Sequence, residues 1–309
     1  MKTHSNDIPL FDGHCDTLLH LKGNLLKNDC HVDLTRADYS PYAQFFAIFH
    51  PFKAAFDEYH SKLMRELEAA GEAVTLCRTA GEAKAAAEKG VAAAFISVEG
   101  AHVIDCDIDR LPQIKEMGVS SVCLTWNNPT VISGTNVKES DRGLSDRGRS
   151  FVRMMNDVGL IVDVSHLSDR GFWDVCETCD GPFMASHSNS RALCSHPRNL
   201  TDEMFRAVIE KGAVAGLNLF TEFLTEPGKP TTVEDAVHHI EHFLDLGGEK
   251  NISIGGDLDG CETLPEGISG VGDVGKVFEL LVARGCPEST ARDIFYNNLM
   301  RVVTQVCGM

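Results

Sequence analysis

Two short runs of this chain end on histidine: Leu160-Ile161-Val162-Asp163-Val164-Ser165-His166 and Pro182-Phe183-Met184-Ala185-Ser186-His187-Ser188. The stretch between them, Asp169 to Cys179, is long enough for the helical crossover that joins two parallel strands. Such a unit sets His166 and His187 side by side at the carboxyl ends of neighbouring strands, where α/β proteins place their chemistry. Other strand-like runs close in the same manner. Ile8–Asp12 leads into His14 and Asp16, Val91–Val98 into Glu99, and Ile252–Gly256 into Asp257. Three imidazoles and three carboxylates brought to one rim would be heavily penalised by desolvation unless a cation compensates them. With no cysteine in register, zinc or another first-row divalent ion is favoured over calcium. Six donors exceed what one zinc uses, so two metals with a bridging carboxylate are expected, the arrangement that clamps both oxygens in a hydrolysis. Any one of these residues alone is better read as a strand-capping polar group; their joint occurrence at five strand ends is what points to a metal site.

The elements that must position them alternate along the chain. Strands are expected at Ile8–Asp12, Gln44–Phe49, Val91–Val98, Ser121–Thr125, the run ending at His166, the run ending at His187, Val214–Leu219 and Ile252–Gly256. Helical spacing of apolar residues marks 54–70, 111–117, 146–158, 169–179, 201–211, 232–246, 271–283 and 289–302. Eight strands interleaved with helices predict a (β/α)8 TIM-like barrel in a single domain spanning 1–309, with an open doubly wound sheet as the alternative. The Gly-, Asn-, Ser- and Pro-rich loop from Asn127 to Gly143 has the composition of a mobile cover over a site.

Composition limits the partners. With 28 basic against 45 acidic residues, a net charge of −17, the chain would be repelled by nucleic acid and by anionic membranes. The polar start Met1–Asp7 carries no signal-like segment and no run of apolar residues is long enough to span a bilayer, so a cytoplasmic protein is expected. Eleven scattered cysteines fit reduced thiols better than a disulfide framework.

An ordered set of motifs adds a family resemblance: Asp12-Gly13-His14-Cys15-Asp16, Val98-Glu99-Gly100-Ala101-His102, Asp163-Val164-Ser165-His166, Ser186-His187-Ser188-Asn189, Arg198-Asn199 and Gly255-Gly256-Asp257-Leu258-Asp259-Gly260. In this order, from Asp12 to Asn297-Asn298-Leu299, they resemble the renal (membrane) dipeptidase family of zinc peptidases. The resemblance implies a dipeptide substrate, commonly with a D-residue on the carboxyl side, and two zinc ions per chain. His14, Asp16 and Glu99 would hold one zinc, and Glu99, His166 and His187 the other, with Glu99 as the bridge. Arg198 would pair with the substrate carboxylate. Asp257, or else Asp259, would handle the proton of a zinc-activated hydroxide whose parent water titrates at about 7. After the fourth strand the better-known members carry a histidine thought to help bind the tetrahedral intermediate, whereas this chain has Leu124-Thr125-Trp126, and an indole donates one hydrogen bond but carries no proton or charge. Trp126 therefore motivates a second reading, a barrel hydrolase of another small amide or a lactone. Relatives of that kind usually begin with His-x-His and a bridging lysine, neither of which stands here. A third reading, a catalytically silent binding protein, rests only on the principle that fold does not dictate function. A homodimer is entertained as the self-association.

Four further signals carry less weight. Asp105–Glu116 mimics a calcium loop but has Arg110 where the turn needs glycine, so it reads as a polar lead into a helix. His238, His239 and His242 read as a solvated helix face, Cys176-Glu177-Thr178-Cys179 as a chance pair, and Cys194 as a packing residue.

Overall fold

The computed structural model describes residues 8–309; the start Met1–Asp7, read from sequence as free of a signal segment, lies outside the described residues. The apolar runs form β1 (Leu10–Asp12), β2 (Tyr42–Ile48), β3 (Val74–Leu76), β4 (Ala92–Glu99), β5 (Val119–Cys123), β6 (Ile161–Asp163), β7 (Met184–Ala185), β8 (Val214–Leu217) and β9 (Ile252–Ile254). All pair in parallel. β1 bonds to both β2 and β9, and β2 bonds to β4, so eight strands close into a ring in the order β1, β2, β4, β5, β6, β7, β8, β9. This is the expected (β/α)8 barrel, and closure rules out the open sheet. β3 stands outside the ring, paired to the first residues of β4 through Val74, Thr75 and Leu76. Its three residues, Val-Thr-Leu, are too short a run to show periodicity, which is why the sequence does not reveal it.

The barrel is filled from the bottom. Phe11, Phe45 and Phe95 stack with ring centroids 5.1–5.5 Å apart, joined by Ile161, Met184 and Val214. The terminal helix Asn298–Cys307 covers this floor with Leu299, Val302 and Val303. Alternate residues of a strand share a face. In β4 the inward series that begins with Ala93 and Phe95 therefore continues through Ser97 to Glu99, delivering a carboxylate to the mouth above an apolar plug.

Helix starts are set by side chains. Ser145, Ser168 and Thr201 each accept a backbone N–H three residues on, opening the helices Asp146–Val158, Asp169–Thr178 and Asp202–Glu210, each cap being worth about 1 kcal/mol. Thr232 and Asp235 form a reciprocal capping box at the start of helix Val233–Asp245. Among the described residues no helix is long and apolar enough to cross a membrane. All eleven cysteines are free thiols, and Cys194 and Cys179 are buried.

Two expectations need correction. The loop from Asn127 to Gly143 is tied down: Ile132, Ser133 and Thr135 are buried, Arg142 Nη2 donates to the Thr130 and Ser133 carbonyls at 2.8 and 2.9 Å, and Asn136 N donates to His166 O at 3.1 Å. The histidine cluster is not a solvated face throughout. His238 is exposed and His242 meets Asp202 at 2.8 Å, but His239 is buried, accepting from Ser190 N at Nδ1 (3.0 Å) and donating from Nε2 to Leu224 O (3.0 Å).

Both ring nitrogens of His239 are thus satisfied only in the neutral form, and burial lowers its pKa to about 4. The unfolded chain, with histidine near 6.5, binds the extra proton first as pH falls, so stability is present above about 6.5 and is lost as pH drops toward 4. A loss on the order of 2–3 kcal/mol is expected from this residue. In urea titrations at stepped pH, wild type should lose stability more steeply over that window than His239→Gln.

Candidate metal centre

Each strand end contributes through a local reason. Asp12 Oδ1 accepts from His14 N (3.1 Å) and from Gly256 N (2.9 Å), locking the exits of β1 and β9 together so that His14 and Asp257 face each other. Past β6 and β9 the backbone turns sharply, with His166 at φ 69° and Asp257 at φ 54°, a left-handed conformation that costs side-chain-bearing residues about 1 kcal/mol or more and is commonly found at working sites. Gly255 and Gly216 have no side chain for a reason: a Cβ on either would lie within 2.0 Å of Ser186 O. The backbone ahead of His187 can therefore lean into the barrel.

The result is a buried cluster. His14 Nε2 lies 3.7 Å from Asp16 Oδ2, 3.7 Å from Glu99 Oε2 and 3.8 Å from Asp257 Oδ1. Glu99 Oε1 lies 3.0 Å from His166 Nε2 and 3.8 Å from His187 Nε2, and those two nitrogens are 3.0 Å apart. Ligand atoms within 4.8 Å of one another form three overlapping groups: His14, Asp16 and Glu99; Glu99, His166 and His187; and His14, His187 and Asp257. Glu99 belongs to two of them.

Proton bookkeeping shows what the cluster is short of. Asp163 accepts from Ser165 N (3.0 Å), Ser186 N (3.1 Å) and Ser186 Oγ (2.5 Å). With its hydrogen committed there, Ser186 Oγ can only accept from His187 Nδ1, 2.7 Å away, so the Nε2 of His187 is a bare lone pair. His166 Nδ1 is likewise held by Asn127 Oδ1 at 2.9 Å, leaving its Nε2 bare. Two lone pairs therefore face each other and the Glu99 carboxylate. His14 Nε2, Asp16 Oδ1 and Glu99 Oε2 are buried without a hydrogen-bond partner among the described residues. Divalent cations fit this donor set, and among the described residues no lysine or arginine is bonded to it.

The electrostatics agree. Burial drives Glu99 well above the usual carboxylate range and Asp257 up to about 6. Burial, then the charges of Arg198 and His14, hold His166 and His187 well below the ordinary imidazole value. Burial would lower His14 too, but Glu99, Asp16 and Asp257 outweigh it and raise it to about 10. Burial thus disfavours charge on Glu99, Asp257, His166 and His187, while the surrounding carboxylates draw positive charge to His14, as in a site built to attract cations.

The cluster opens into a cleft of about 460 Å³ walled in part by Trp126, Val137, Phe220 and Phe223. Arg198 lines it, 4% exposed, its guanidinium over the Phe223 ring (5.4 Å to the centroid) and both terminal nitrogens without a partner among the described residues. Trp126 packs on Phe49 at 5.0 Å and approaches His166 at 6.5 Å between ring centroids. The two acids of Asp257-Leu258-Asp259 part company. Asp257 joins the cluster with its Oδ2 held by Asn218 Nδ2 at 3.0 Å, whereas Asp259 accepts from Thr17 Oγ1 (2.6 Å) and His31 N (2.7 Å). Sequence reasoning gave no role to Asp12, Asn127, Asp163, Ser186 or Asn218. The available signal was a polar residue interrupting an apolar strand run, as Asn218 does between Leu217 and Leu219.

A closed barrel with imidazole and carboxylate ligands at its C-terminal mouth defines a metal-dependent hydrolase. The family model for membrane dipeptidase, peptidase family M19, matches residues 2–308, and the chain belongs to that family of metallo-dipeptidases. An uncharacterized protein of the pqqA 5′ region of Klebsiella pneumoniae is 31% identical over 75% of this chain and 88% of its own length. An uncharacterized dipeptidase of Schizosaccharomyces pombe is 33% identical over 62% of this chain, which spans 47% of that protein. Among solved structures, dipeptidase AC, a metallo peptidase of family M19, superposes with a TM-score of 0.89 at 29% identity, covering 98% of this chain and 99% of that one. A metallo peptidase from Rhodobacter sphaeroides, liganded with a phosphinate mimic of L-Ala-D-Ala, gives the same TM-score and identity, 0.89 and 29%, over 97% and 99% of the two chains.

Removing the Ser186 hydroxyl frees His187 to turn or change tautomer. Ser186→Ala should weaken divalent-metal affinity about 10- to 100-fold in competition with a chelator, while circular dichroism stays native.

Proposed function

We propose that the protein hydrolyses dipeptides with two zinc ions, one held by His14, Asp16 and Glu99 and the other by Glu99, His166 and His187, Glu99 being shared. The observation that carries this reading is the joint presence, in one cleft, of a buried set of bare donor atoms and a buried, unpartnered guanidinium. Zinc held there supplies Lewis acidity, polarising a carbonyl oxygen and acidifying water.

The chain's own groups account for the rest. Arg198, with no internal partner for either terminal nitrogen, binds the substrate carboxylate through paired charge-assisted hydrogen bonds, and its bed on Phe223 keeps the fork in one plane. Asp257 Oδ1 takes the proton of the attacking water and returns it to the departing amine nitrogen, while Asn218 on Oδ2 keeps the carboxylate from turning. Asp259 is given no such part, since Thr17 and the His31 backbone engage both its oxygens. Trp126 walls the cleft, excludes water and offers a single N–H. The R. sphaeroides neighbour's ligand supports an L-residue followed by a D-residue as the substrate form. Trp126 is the one observation favouring another small amide or a lactone, but the unpaired Arg198 favours a ligand that carries a free carboxylate.

Purified protein should hold close to two zinc ions by elemental analysis, and a chelator should abolish hydrolysis of a panel of L,L- and L,D-dipeptides. Metal-loaded protein inert on the whole panel would refute the assignment. Arg198→Met should lower kcat/KM by about 10²-fold, the worth of paired bonds to a charged group, with metal content unchanged. Amidating the substrate's carboxyl terminus should reproduce that loss in wild type.

A further inference from the structure

We propose that Glu222 and Glu262 form a cation-selecting wall of the cleft, so that the dipeptides turned over best carry a lysine- or arginine-like side chain. This rests on the dipeptidase reading and deepens it.

The two acids come from different segments, Glu222 from the short helix Thr221–Leu224 after β8 and Glu262 from the loop after β9. Thr221 N donates to Thr263 O at 3.3 Å and the hydroxyls of Thr221 and Thr263 are hydrogen-bonded, which seats the adjoining Glu222 and Glu262 on one wall. Both are exposed, both line the cleft, and neither belongs to the groups of atoms close enough to hold a metal ion. Among the described residues neither carboxylate has a salt bridge or a hydrogen bond, although acids elsewhere on the surface find partners, as Asp57 does with Arg110 and Glu241 with Arg284. Lys229 lines the neighbouring hollow that Glu222 also borders, but no salt bridge joins it to Glu222.

A second observation shows that a ligand is meant to lie beside them. Arg198, buried and unpartnered, lines the same cleft, and Phe223 beneath its guanidinium is the chain neighbour of Glu222. A substrate whose carboxylate is held by Arg198 therefore passes the acidic pair. Asp16, Glu99 and Asp257 offset most of the charge of two divalent ions and the substrate carboxylate offsets Arg198, so Glu222 and Glu262, without a cationic partner among the described residues, are negative charge left facing the substrate. A cationic side chain relieves that charge, and an acidic one meets repulsion.

The test is kcat/KM for matched dipeptides in which one residue is lysine, Nε-acetyl-lysine or glutamate, varied at either position so that main-chain charges stay constant. Lysine should exceed acetyl-lysine by about 10-fold or more at one position, with glutamate poorest, and about 0.5 M salt should shrink the preference. In a Glu222→Gln, Glu262→Gln double variant with wild-type Tm and zinc content, the lysine to acetyl-lysine ratio should fall toward one. Dipeptides hydrolysed without preference for lysine, or a preference that survives in the double variant, would overturn the wall and leave the dipeptidase standing. If no dipeptide is hydrolysed at all, the underlying reading falls and the wall with it.

Discussion

The carboxylate of Glu99 sits where three imidazole nitrogens converge, 3.7 Å from His14, 3.0 Å from His166 and 3.8 Å from His187, out of reach of solvent. At least two of those nitrogens are bare lone pairs, because their partners across the ring have already been assigned a hydrogen. Left to itself this arrangement is repulsive, and burial raises the penalty because water cannot screen it. Positive charge must be brought in, and the shape of the barrel mouth is organised to hold that charge between β1, β4 and the turns after β6, β7 and β9.

That demand explains features with no obvious purpose taken singly. Asp163 lies inside the barrel beneath His187 and spends its bonds on Ser165 and Ser186, so its influence reaches the site only by fixing a hydroxyl and hence a tautomer. Asp12 does comparable work on the backbone, joining the first strand to the last across 244 residues of chain. Gly216 and Gly255 let the Ser186 carbonyl approach closer than any side chain would allow. Below them, the stacked Phe11, Phe45 and Phe95 seal the barrel, so the polar layer has a dry, closely packed floor that resists shifts in ligand position.

Much of this was legible in the linear order. Strand ends could be read because most of the eight apolar runs lead into a histidine or an acid, and the eight-fold alternation pointed to a barrel before any pairing was known. What escaped was short or contextual. β3 is three residues long and leaves no pattern. The helix Ala80–Ala87 is so rich in alanine that it shows no amphipathic contrast. His239 resembles its surface neighbours in sequence, and only the packing of Ser190 and Leu224 against it makes it a buried connector. The loop after Trp126 has the composition of a flexible cover, yet Arg142 and the His166 carbonyl hold it.

By itself, then, the sequence determined which residue types stand at strand ends, and with them the fold class and the family, because periodicity and residue chemistry are local properties. Tertiary structure alone decided which of Asp257 and Asp259 joins the histidine and carboxylate cluster, which nitrogen of His187 is free, and that Arg198 has no partner among the described residues. Those outcomes depend on distances between groups far apart in the chain, and such distances exist only once the ring has closed.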